Sequence, residues 1–340
     1  MSVKETSTFK INGWKINSVA TTDKKFVTAM SSGGNYEVRV YDVSNPKNDI
    51  IKLTNENGNE NLKGVTSVAI FYTEDVMNRT YVAAGGRSGT IYVWVLSEGT
   101  KPVKTLENQT GGVGRPITSL MMDQYNIVSL FSDKTARLYN LGVEKYVQIR
   151  QREDLAGANH ISMHGRRLVR VTDKDTIQLQ TIPRNPGTNV DTYQYLPNNK
   201  SVDSIAAGAK KFVTVHDNVI KLWDYKGNLE KKITNDSKPT NVSMHKTRMV
   251  ACFKDNAKVW DDEGNELATL AVTGAKKAAV HGNTIIVIGT NSAHIFECAT
   301  AACPWKRGSD GLRPEEIPLY ILKAVTPEVK VHPQYGKLRY

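Results

Sequence analysis

One short pattern recurs along the 340 residues of this chain and constrains its fold more than any other feature. A strand-like run ends in an aromatic ring, often followed by an acid. It appears as Arg39-Val40-Tyr41-Asp42, Tyr92-Val93-Trp94, Arg137-Leu138-Tyr139-Asn140, Lys221-Leu222-Trp223-Asp224 and Lys258-Val259-Trp260-Asp261. Weaker copies stand at Gln178-Leu179-Gln180 and His294-Ile295-Phe296-Glu297. Positions 41, 94, 139, 180, 223, 260 and 296 are separated by 53, 45, 41, 43, 37 and 36 residues. A unit of about 40 to 45 residues cannot bury both of its own faces, so seven such units must stack on each other.

The interior of each unit predicts four short strands. Between Asn241 and Leu270, the segments Asn241–Met244, Met249–Phe253, Ala257–Asp261 and Glu266–Leu270 are apolar or alternate in polarity. Polar turns at 245–248, 254–256 and 262–265 separate them, which is the pattern of one antiparallel sheet. A second register agrees. The first turn of a unit falls 15 or 16 residues before the aromatic position, at Asp123, His164, Gly208, His245 and His281.

These residues resemble the WD40 repeat family, with the Trp-Asp ends at 223–224 and 260–261 as the most specific mark. The resemblance spans about 290 residues. It implies an all-β, seven-bladed WD40-type propeller with four-stranded antiparallel blades and an irregular C-terminal tail. Tyr41, Asp42, Trp94, Tyr139, Trp223, Asp224, Trp260, Asp261 and Phe296 are then structural repeat residues. Asp133, Asp175, Asp217 and Asp255 match the family's turn aspartate. The Gly-His dipeptide that usually opens a repeat is missing, which puts the family's hydrogen-bonded tetrad in question. The propeller is expected over 1–297 and an extension over 298–340. Blade seven lacks a fourth strand of its own. Residues 6–12 are favoured to supply it over the tail segment Ile317–Val325, where Pro318 restricts pairing.

Hydrophobic residues at 39% allow a substantial core, and the net charge of +11 raises the expectation of an acidic partner. The basic residues are scattered among acids. Arg150, Arg152, Arg166, Arg167, Arg170, Lys210 and Lys211 are the candidates for contact with RNA or an acidic partner. The tail, with Trp305, Tyr320, Tyr335 and Tyr340 among prolines, reads either as a segment packed on its own propeller or as a partner-binding arm. No run is long and apolar enough to span or insert into a membrane, and the first residues show no signal peptide. A cytoplasmic location is expected, with the nucleus as the alternative.

Three cysteines at 252, 298 and 303 fit neither a disulfide framework nor a zinc signature. His164, His245 and His281 share one turn position, but equivalent points on different blades are expected too far apart for a common ion, so they read as turn residues. Gly111–Arg115 is followed by no helix that would aim amides at a phosphate, and it reads as an inter-blade loop. No nucleophile-elbow or zinc-protease motif occurs. The expectation is therefore a protein without enzymatic activity, cofactor or metal. It would serve as a protein-interaction scaffold in a multi-subunit complex, or alternatively as an RNA- or ribosome-associated propeller. Long loops at Thr54–Gly64, Tyr72–Thr80, Glu107–Pro116 and Pro183–Asp191 are the segments expected to be specialised for binding.

Overall fold

A computed structural model describes the chain except residues 1–2, 12, 49, 63, 74–77, 107–114, 124–125, 141–147, 150–156, 173–175, 183–193, 197–200 and 299–340. The described strands form seven four-stranded antiparallel sheets, each the blade of a propeller. Blade six shows the plan. Its strands a to d are Asn241–His245, Arg248–Cys252, Asn256–Asp261 and Glu266–Ala271, paired in sequence order. Among the described residues the only helical segment is a single 3-10 turn, Leu96–Glu98. No described helix is long and apolar enough to cross a membrane.

Strand alternation explains why blades stack. In blade five, Phe212 and Trp223 point toward blade four, where they pack with Val169, Val171, Ile177 and Leu179. Their neighbours Val213, Val215, Ile220 and Leu222 point the other way, onto Met249, Ala251 and Trp260 of blade six. Each sheet thus spends two apolar faces on two neighbours, as a strand's period of two dictates. The repeat rings lie in these seams: Trp94 and Trp260 are 0% and 1% exposed, and Tyr41, Tyr139, Trp223 and Phe296 are also buried.

The acid after the ring has a different task. Asp224 Oδ1 accepts the amides of Lys226 (2.9 Å) and Asn228 (2.8 Å). Asp261 Oδ1 repeats this with Glu263 (3.0 Å) and Asn265 (2.8 Å), and Asp42 takes the Ser44 amide at 2.9 Å. The Trp-Asp ending is therefore a ring for the seam followed by an acceptor that shapes the c–d turn.

Blade five builds a polar relay without a Gly-His opening. The Trp223 Nε1–H donates to Thr214 Oγ1 at 2.9 Å, and Thr214 lies 2.8 Å from His216 Nε2. His216 Nδ1 is 3.0 Å from the Ser201 carbonyl. Here the histidine comes from strand b. Blade four, where Gln180 stands in place of a ring, is polar instead: Gln178 and Gln180 are buried, and Arg170 Nε donates to Gln178 Oε1.

The ring closes between the two ends of the described chain. Val3–Lys10 pairs antiparallel with Ser292–Cys298 as the outer strand of blade seven. Phe9 carries the seam, 5.2 Å from the Tyr41 ring and 6.0 Å from Phe26 of blade one. The tail, including Trp305, Tyr320, Tyr335 and Tyr340, lies outside the described residues.

Candidate functional site

The innermost strand of every blade has an edge that no further strand covers, so its outward amides need acceptors. The sequence supplies them from the preceding blade. Asn241 Oδ1 accepts from Ala278 N at 2.8 Å, Ser243 Oγ from Val280 N at 3.3 Å, and His245 Nδ1 from Gly282 N at 3.0 Å. The alternation Asn-Val-Ser-Met-His thus makes three rungs between blades six and seven. Ser162 Oγ takes the Ala207 amide at 2.9 Å and Ser18 Oγ the Val68 amide at 3.3 Å.

In blades one to four, strand a also carries a register shift, at Ile16/Ser18, Val65/Ser67, Ile117/Ser119 and Ala158/His160. Such bulges re-aim side chains locally. The skipped residues, Asn17, Thr66, Thr118 and Asn159, line the central cavity of about 580 Å3. Sequence reasoning missed this lining. A readable signal existed in the similar runs Ile16-Asn17-Ser18-Val19, Val65-Thr66-Ser67-Val68 and Ile117-Thr118-Ser119-Leu120.

At the a–b turn end the inner strands bring the three histidines into ring contact with one another, a proximity that their reading as separate turn residues did not foresee. The His245 and His281 rings stack at 3.9 Å between centroids, and His164 meets His245 edge-on at 5.2 Å. His164 and His245 belong to blades four and six. Blade five, between them, has Gly208 at this position, with no side chain to separate the rings. A Cβ on Gly208 would lie 2.8 Å from the Lys246 carbonyl and 3.0 Å from the Met244 side chain. Gly208→Ala is therefore expected to destabilise the chain by about 1–3 kcal/mol in urea unfolding. A midpoint identical to the parent protein would show that the turns do not press together.

The His164 and His245 rings are neutral at pH 7. Burial, with the charges of Lys246, His281 and Arg167, lowers the His164 imidazole to about 4. Burial, with His281, His164, Lys246 and Arg248, holds His245 well below its usual range. Because the Gly282 amide donates to His245 Nδ1, the proton of that ring is assigned to Nε2. His281 Nδ1 lies 3.2 Å from Asp23 Oδ1 of blade one. Burial alone would raise the Asp23 carboxyl, but hydrogen bonding and charge from His281, with Lys246 and the Asn283 backbone, hold it below the carboxylate range. Among the described residues no three His, Cys, Asp or Glu are placed to hold a metal ion. Cys252 and Cys298 are buried, and burial pushes the Cys252 thiol up to about 12.

The basic candidates divide. Arg170 is 4% exposed and bonded to Gln178, so it is an internal residue and not a contact for RNA or a partner. Arg166 Nε donates to the Ile182 carbonyl at 2.7 Å. Arg167 donates to the Ala209 carbonyl at 2.5 Å and lies 4.5 Å over the Tyr225 ring. Lys211 pairs with Glu230 at 2.6 Å, and Lys210 is exposed on the same turn. Arg150 and Arg152 lie outside the described residues.

No family model and no curated protein sequence matches the chain. Solved structures do. The WD40 β-propeller domain of Doa1 is similar over 88% of this chain and 98% of that one, with TM-score 0.59 and 17% identity. A chain of the mitotic checkpoint complex is similar over 87% of this chain and 94% of its own length, with TM-score 0.62 and 13% identity. The computationally designed Ika8 protein is similar at TM-score 0.55 and 15% identity, over 86% of this chain and 99% of that one. At these identities the likeness shows the fold: a seven-bladed WD40-type β-propeller.

Proposed function

We propose that this chain is a non-catalytic interaction scaffold that docks other proteins through the rims of its channel, within a larger assembly inside the cell. Scaffolding of proteins is the general use of WD40 propellers, and one of the similar solved structures is itself a multi-protein complex. The observation that carries the reading is the destination of the inner polar side chains. The acceptors of Asn241, Ser243, His245, Ser162 and Ser18 are taken by amides of the next blade, so channel chemistry is consumed by the frame. The outer wall offers little apolar surface, with only Ile50 and Leu229 as exposed large hydrophobics among the described residues. Variable turns held on a rigid frame remain, and such positions are where propellers carry recognition.

The test is capture from nuclease-treated extract with the full chain, a rim variant (Lys24→Glu with Lys210→Glu) and a wall variant (Lys104→Glu with Lys232→Glu). Protein partners kept by the wall variant and lost by the rim variant are expected. Partners that disappear on nuclease treatment of the parent chain would replace this reading by the RNA-associated one.

A further inference from the structure

We infer that the a–b turn end of the channel is a docking ring for an acidic polypeptide segment that enters along the propeller axis. The inference rests on the rim-docking reading above and names the partner's chemistry. Sheet order places a–b turns next to the channel and c–d turns at the periphery of the same end. The inner turns carry Lys24-Lys25, Arg166-Arg167, Lys210-Lys211 and Lys246 with Arg248, from blades one, four, five and six. Among the described residues their acids are Asp23, tied to His281, and Asp123, which is buried and accepts the Asn126 amide at 2.7 Å; Glu74 and Asp75 of the blade-two segment lie outside the described residues. The outer turns carry Asp42, Glu98, Asp224, Asp261, Asp262 and Glu263, against Lys47, Lys101 and Lys226, and are net acidic. With Lys25 paired to Asp42 at 3.2 Å and Lys211 to Glu230 at 2.6 Å, the described charge on this end is still net basic at the axis and net acidic outside.

Two inner cations are fixed in place by neutral acceptors. Arg167 bonds the Ala209 carbonyl, and Arg248 bonds the Gly282 carbonyl and Asn283 Oδ1. Each reaches onto the turn of the next blade. Arg248 is buried and adds its charge from within the frame, whereas Arg167 is exposed and holds its charge at the surface on a neutral carbonyl, which is how a binding site keeps charge ready for a ligand. The histidine contacts show how close these turns come: the charge of Lys246, in blade six, is felt by His164 of blade four and by Asp23 of blade one. A mouth of one sign with low-dielectric walls focuses its field along the axis. Lys277, at the other end of its inner strand from His281, adds a further cation to the lining of the cavity.

The concentric pattern also selects the class of partner. A nucleic-acid strand lying across the end would pass its phosphates over Asp224, Asp261, Asp262 and Glu263. A slim peptide entering end-on meets the basic turns first, and its flanking basic residues would meet the outer acids. Like-charge juxtaposition at the rim excludes the wrong partner as effectively as attraction recruits the right one.

Fluorescence anisotropy with labelled hexaglutamate, at about 20 mM salt where screening is weak, tests this on the full chain. The parent protein is expected to bind it. Lys24→Glu with Lys210→Glu should weaken binding at least about tenfold, while Lys104→Glu with Lys232→Glu, an identical change of net charge on outer strands, should stay within about twofold. Equal loss in both variants, or no binding by the parent protein, overturns the proposal. So does a hexauridylate competitor that displaces the peptide at lower concentration than unlabelled hexaglutamate does. If partner capture is still lost in the rim variant while hexaglutamate does not bind, the acidic-segment inference fails and the rim-docking reading stands.

Discussion

Deletion of residues 1–10 is expected to lower stability by at least about 4 kcal/mol and the thermal midpoint by roughly 8 °C or more. Two losses combine. Phe9 leaves an aromatic group in which Phe26 and Tyr41 stack at 4.7 Å, at the seam between blades seven and one. Removal of a core Phe side chain alone costs about 3–5 kcal/mol, and Phe9 is only half-buried, so its share lies toward the lower end. The second loss is the whole outer edge of Ser292–Cys298, whose amides and carbonyls then face water or another chain. Exposed edges of this kind template association, so the truncated chain should also elute as higher-order species. Differential scanning calorimetry with size-exclusion chromatography reads both effects, and Phe9→Ala separates the seam from the edge. A truncated chain with the parent midpoint would mean that the described pairing contributes nothing to closure.

The parts of this molecule legible in the sequence are those whose cause is local. A ring that fills a seam and an acid that shapes the next turn sit beside each other, so Trp223-Asp224 and Trp260-Asp261 announce both the blade and its third strand. The inner strands are different. Ser162 is an unremarkable serine until its partner, the Ala207 amide, is known, and that partner stands in the next blade. The polar alternation of Asn241, Ser243 and His245 reads as a solvated face, whereas it serves a neighbouring edge. Arg170 misled for the opposite reason. Arginines are rarely buried, so from sequence it reads as a surface contact, but the polar fourth repeat that lacks a ring supplies Gln178 as its partner. The ring contacts among the histidines are hidden for the same reason as the rungs: they join different blades, with strand a at the axis and Gly208 leaving room for the rings to meet across blade five. Concentric charge was equally hidden: in sequence order, basic a–b turns and acidic c–d turns alternate and look like scatter.

Acid is expected to weaken the propeller before its depressed carboxylates titrate, and the histidine cluster sets the window. His164 is held at about 4, against an unfolded value near 6.5. Between those values the unfolded chain binds a proton that the folded chain refuses, so stability falls as pH falls. The contribution is intact above pH 6.5, diminishes through the interval and is fully lost below about 4. For His164 alone the loss amounts to about 2 kcal/mol at pH 5 and up to about 3 kcal/mol at the acid limit. His245 is shifted in the same direction and adds to it. Every cation near the rings opposes protonation: Lys246, Arg167 and Arg248, together with the rings themselves. Asp23 is the acid of the cluster, and it is paired with His281. The depressed carboxyls of Asp23, Asp42 and Asp133 protonate only at lower pH, which separates their effect from that of the rings. Urea unfolding at half-unit steps from pH 7.5 to 4 should therefore show a steady fall in midpoint. In His164→Gln with His245→Asn, where Asn can accept the Gly282 amide as Asn241 accepts that of Ala278, the level can shift but the slope should flatten. A slope that survives both substitutions would locate the acid sensitivity elsewhere in the chain.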